Sequence, residues 1–127
     1  MIVAFIYWCI KPTDEAVFQF LEWWKNEATI ESKDNLVGEF LSAPLPAHQF
    51  PFRVNDLAPQ PGDVAYRPFI NIGIWKDWES FYQEVGHNFS DDQPLMEFEA
   101  ATRGRTILEP KEWRVGEWHL PEEGTCT

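Results

Sequence analysis

Phe69-Ile70-Asn71-Ile72-Gly73-Ile74-Trp75 is the stretch whose reading decides the fold. Isoleucine recurs at every second position, so an extended backbone places Ile70, Ile72 and Ile74 on one face of a strand and Asn71, Gly73 and Trp75 on the other. The second face points either toward covering helices or toward another copy of the chain. If it lines a cavity, the Trp75 indole supplies a flat wall for an aromatic ligand and the Asn71 amide a hydrogen bond that fixes its orientation. The other outcome for the same pair is core or interface packing.

Downstream, Asp77 is placed to cap a helix running to about Glu84 or Val85, with Trp78, Phe81, Tyr82 and Val85 inward and Gly86 as its stop. Ser90-Asp91-Asp92-Gln93-Pro94 reads as a further helix start, with acids at the cap and proline near the first turn. Leu95, Phe98, Ala101 and Thr102 then line one face of a helix ending near Arg103-Gly104. Trp113 to Trp118 reads as the last strand, and residues 121–127 as a flexible tail.

Upstream, Ile2 to Ile10 is an apolar, aromatic and β-branched run read as a central strand buried on both faces. Thr13 caps a helix over residues 14 to about 28, whose stripe is Val17, Phe20, Leu21, Trp24 and Ala28 and whose wet face holds Glu15, Glu22, Lys25 and Asn26. Leu36 to Ser42 reads as a second, weaker strand with an internal glycine. Residues 43–68 carry six prolines, which forbid a regular helix and most ladder positions. A connection this long is expected to lid a site or cover a partner, and Phe50, Phe52 and Tyr66 suggest that it packs down.

The order is therefore β-α-β-β-α-β in one domain of residues 1–120, an α+β ferredoxin-like sandwich with helices on one sheet face. The opposite face needs a cover, and a second copy of the same sheet is the simplest one.

With 21 acidic against 10 basic residues the formal net charge is −11, which argues against a nucleic-acid backbone or an anionic membrane surface as partner. No apolar run reaches 18 residues, so the chain is read as soluble and cytoplasmic. Cys9 and Cys126 are too few for a disulfide framework; Cys9 is expected to behave as a small core hydrophobe. Aromatic residues make up 16% of the chain, including seven tryptophans, a content that fits either a large interface or an aromatic-lined cavity.

No nucleophile constellation, phosphate loop or metal-ligand spacing occurs. His48, His87 and His119 are scattered, and Asp91 and Asp92 read as solvated caps, so no metal site is expected. His87 is the candidate base for a phenol or enol, because an unperturbed imidazole titrates near neutrality. Arg103 is the candidate cation for a ligand carboxylate, although at a helix end it equally complements the dipole. Tyr7 and Trp8 point to opposite faces of the first strand, so one of them faces any given cavity; Tyr7 joins Trp75, Asn71 and Arg103 as a candidate ligand contact.

Ile2 to Trp24 and Phe69 to Thr102 resemble the dimeric α+β barrel superfamily, most nearly its antibiotic-biosynthesis-monooxygenase-like group. The first stretch is similar to that family's opening strand, proline turn and helix. The second resembles its strand ending in tryptophan, followed by a helix beginning Lys76-Asp77-Trp78-Glu79-Ser80-Phe81 and another containing Phe98-Glu99-Ala100-Ala101. The resemblance implies a homodimer whose paired sheets form a barrel, with a cavity between helices and sheet in each subunit. It also implies, as in some relatives, oxidation of quinone-like polyketides without a separate redox cofactor. The family's haem-degrading branch is matched at Trp75, but Thr102 stands where that branch has its histidine ligand, and Tyr7 or Trp8 where it has asparagine. The haem-degrading reading is therefore set aside.

Three functions remain: a cofactor-independent monooxygenase acting on an aromatic or polyketide-like substrate, a non-catalytic small-molecule binder, and a structural or protein-interaction domain. A closed apolar cavity with a convergent polar group separates the first two from the third.

Overall fold

Burial alternates residue by residue along β1 (Ile2–Ile10), with every even-numbered side chain buried and every odd-numbered one half-exposed. In the computed structural model, which describes residues 1–55, 57, 59, 62–86 and 92–124, this strand forms the spine of the domain. It is followed by α1 (Asp14–Asn26), β2 (Leu36–Ser42), a 3-10 turn at Ala47–Gln49, β3 (Arg67–Trp75), α2 (Trp78–Val85) and β4 (Glu99–Leu108). The strands make one four-stranded antiparallel sheet in the order β2-β3-β1-β4. Pro68 sits near the start of β3, beyond the end of its pairing with β2, where its missing N–H costs no rung on that side.

The caps read from the sequence are both formed. Thr13 Oγ1 accepts from the Ala16 N–H at 3.1 Å, and Asp77 Oδ1 accepts from the Ser80 N–H at 2.8 Å. Hydrogen bonds from Ser80 also hold the Asp77 carboxyl below its usual range.

The even-numbered face of β1 carries two clusters. In one, Ile6, Trp8 and Ile10 pack with Ala16 and Phe20 of α1, Phe69 and Phe98. Phe20 is its hub, with ring centroids 5.0 Å from Trp8, 5.3 Å from Phe69 and 5.5 Å from Phe98. Such pairs add about 0.5–1.5 kcal/mol each beyond area burial. In the other, Ile2, Ala4 and Trp75 pack with Phe81 of α2. Both helices therefore cover the same side of the sheet.

Four expectations need correction. β1 is not buried on both faces, because Val3, Phe5, Tyr7 and Cys9 face the side that no helix covers. Residues 99–108 are strand, not helix: Glu99 pairs with Ile10, Ala101 with Cys9 and Gly104 with Tyr7, so two bulges hide the period of two that a regular strand would show. That places Arg103 on a strand and not at a helix end. Residues 113–118 form no strand and are exposed throughout, since β4 already occupies the free edge of β1. Trp78 and Tyr82 are exposed, with their tilted rings 5.8 Å apart between centroids, while Phe81 alone of that trio is buried.

Among the described residues no helix is long and apolar enough to cross a membrane.

Candidate functional site

Between the two clusters the sheet offers small residues to the helices. Gly73 pairs with Ala4 of β1 on one side and Glu39 of β2 on the other, so the middle rung of the covered face carries little side-chain volume. The helices bridge this gap and leave a cavity of about 460 Å³, within the size range of small-molecule sites. Trp8, Trp23, Trp24, Trp75 and Phe81 form much of its wall, with Ile6, Ile30, Val85 and Met96.

Three polar side chains meet in this apolar setting. Trp24 Nε1–H donates to Asn71 Oδ1 at 3.1 Å, and Asn71 Nδ2–H donates to Glu39 Oε2 at 3.2 Å. The direction of this chain is fixed chemically: indole is a donor only, so the amide must turn its oxygen to Trp24 and its NH₂ to Glu39. Burial pushes the Glu39 carboxyl above the ordinary glutamate value, against the opposing effects of the Asn71 hydrogen bond and the Lys33 charge. A carboxyl raised in this way by burial is the kind found where protons are transferred.

Arg103 borders the same cavity from β4. Its guanidinium lies 4.3 Å from the Trp8 ring centroid and donates to Glu99 Oε1 at 2.8 Å. Glu99 also accepts the Met96 N–H at 3.1 Å; its side chain is buried, and that of Arg103 is 11% exposed. Arg103 thus already holds a carboxylate, that of its own chain, while bordering the cavity from the β4 side.

Of the residues singled out from the sequence, Asn71, Trp75 and Arg103 come together around one cavity. Tyr7 does not: it pairs with Ile70 and Gly104 on the uncovered face, and Trp8 is the neighbour that turns inward. His87 lies outside the described residues, as do Asp91 and Cys126. The loop between β2 and β3 contributes no described residue to the cavity wall; it holds itself together through Phe50 and Phe52, with ring centroids 6.0 Å apart, and a Tyr66 Oη–H to Leu57 carbonyl bond of 3.3 Å. Burial, and secondarily the Glu99 charge, pushes the Cys9 thiol up, away from nucleophile duty. Among the described residues no group of three or more His, Cys, Asp or Glu is arranged to hold a metal ion.

Glu39 and Trp24 are the functional candidates that sequence reasoning missed. Glu39 carries a signal, as the lone charge in its strand, whereas Trp24 reads from the sequence only as part of the helix stripe. Searched against protein-family models, curated proteins and solved structures, the chain matches none of them.

Proposed function

We propose that this chain is a small-molecule-binding protein of the ferredoxin-like class, which pairs two sheets into a dimeric α+β barrel and takes an aromatic or polyketide-like ligand into each subunit. The sheet order, with both helices on one side, supports the fold class. The half-exposed rows Val3-Phe5-Tyr7 and Ile70-Ile72-Ile74 on the other side support pairing with a second copy.

The observation that carries the function is the cavity itself, with tryptophan walls around a converging polar chain, Trp24-Asn71-Glu39. Titration with 2-hydroxyanthraquinone, followed by difference absorbance, tests it. Saturable binding at one ligand per chain is expected, weakened by Ala28→Phe, which fills the cavity from the end of α1. An absence of saturable binding, or binding indifferent to that substitution, contradicts the proposal. In its catalytic form the ligand's own carbanion reacts with O₂ without a separate redox cofactor, and Glu39 is the described base that borders the cavity. Ligand-dependent oxygen uptake separates that form from simple binding.

A second reading, a protein-interaction domain, is favoured by the segment after β4, where Trp113, Val115 and Trp118 are exposed. It predicts that Trp113→Ala with Trp118→Ala abolishes a partner contact while leaving ligand binding intact.

A further inference from the structure

Gly73 marks a point in the cavity floor where two side chains of opposite hydrogen-bonding character flank a missing third. A Cβ at this position would lie 3.0 Å from Trp75 Nε1 and 3.7 Å from Glu39 Oε2. The Trp75 indole can only donate, and although this side chain is 1% exposed its N–H has no acceptor among the described residues. Leaving such a donor unpaired in the interior is unfavourable, and a ligand acceptor would relieve it. Glu39, when ionised, can only accept, and the Asn71 bond occupies just one of its several lone-pair positions.

A ligand group that completes both must donate and accept from nearly the same place. A ketone or ether oxygen answers Trp75 but sets its lone pairs against the carboxylate; an ammonium answers Glu39 and leaves the indole unpaired. A hydroxyl does both, its O–H directed to Glu39 and its oxygen accepting the Trp75 N–H. An acidic phenol or enol hydroxyl does so best, because hydrogen bonds to an ionised acceptor are about twice as strong as neutral ones. Glycine at 73 puts no side chain of its own between the two groups, and Asn71, held by Trp24, is the positioning residue that keeps the carboxylate in place.

We propose that Glu39, Gly73 and Trp75 form a hydroxyl-recognition subsite, so that the cavity selects hydroxyaromatic or enolic ligands over their ketone, ether and amine counterparts. The proposal rests on the cavity being a ligand site, and its test keeps the two apart. Binding of 2-hydroxyanthraquinone is compared with that of 2-methoxyanthraquinone for the wild-type chain and for Glu39→Gln, which preserves an oxygen for Asn71 but turns an NH₂ toward the ligand.

The wild-type chain is expected to bind the hydroxyl compound about tenfold or more tightly than the ether, as one charge-assisted hydrogen bond provides. Glu39→Gln brings the ratio to about one, mainly by weakening the hydroxyl compound. Equal binding of both probes by the wild-type chain overturns the subsite and leaves the cavity reading standing. A preference that survives Glu39→Gln also overturns it. Failure of both probes to bind overturns the subsite and the cavity reading together.

Discussion

The two faces of one sheet are built from the same alternating strands and yet differ in kind. On the helix side, Ile6, Trp8 and Ile10 sit in a dense aromatic cluster, while the rung at Ala4, Gly73 and Glu39 is left thin and polar. On the other side Val3, Phe5, Ile72 and Ile74 form an apolar surface without a buried charge. Two-sided hydrophobicity in a strand therefore has two separate meanings here: one face excludes water by packing against its own helices, and the other is available to a neighbour. The cavity arises on the packed face because small residues were put in register there.

The largest effect that sharpens this contrast is at Arg103. Arg103→Met strands the buried Glu99 carboxylate and lifts the cation from the Trp8 ring, so a loss of about 3–5 kcal/mol is expected in urea unfolding. Gly73→Ala comes next. The new methyl presses on the Trp75 indole, which is locked against Phe81 with ring centroids 5.9 Å apart, and about 1–3 kcal/mol is lost together with affinity for the anthraquinone probes. On the uncovered face, Ile72→Lys changes association instead of packing: light scattering is expected to give twice the 14.9 kDa chain mass for the wild-type protein and the single-chain mass for the variant. A wild-type mass equal to one chain would remove the pairing of sheets from the account.

The smallest effect is a slope. Because burial raises the Glu39 carboxyl, the folded chain holds that proton more tightly than the unfolded chain does. This contribution to stability is full below the ordinary glutamate value and is lost as pH rises from there through the raised folded value. Glu39→Gln is expected to flatten the corresponding part of a plot of urea midpoint against pH. An unchanged plot would mean that Glu39 is not buried as described.

Much of this architecture was legible because it is local. The isoleucine alternation of residues 69–75 sets Asn71, Gly73 and Trp75 together on one face but does not fix which way that face turns, and Thr13 and Asp77 announce their helices through short-range hydrogen bonds. What was not legible depends on pairing between distant strands. The two bulges of β4 put Glu99 and Arg103 on one face through two extra residues relative to β1, and the same spacing of Leu95, Phe98 and Thr102 imitates a helix. The alternation of residues 113–118 is genuine but finds no ladder partner, and alternation without a partner does not make a strand.

The cavity needed still more, since neither Ala4 nor Gly73 is informative until the register sets them side by side with Glu39 beyond. The choice of Tyr7 over Trp8 failed for the same reason. One strand has two faces, and only the helices decide which is inside.

The indole N–H resonances of the seven tryptophans test the central claim most directly, because they sample both the cavity and the exterior. In a ¹H–¹⁵N spectrum recorded with 2-hydroxyanthraquinone, the account predicts saturable shifts among Trp8, Trp23, Trp24 and Trp75, the cavity set, with Trp113 and Trp118 unmoved. Shifts confined to Trp78, Trp113 and Trp118, or none at all, would contradict it.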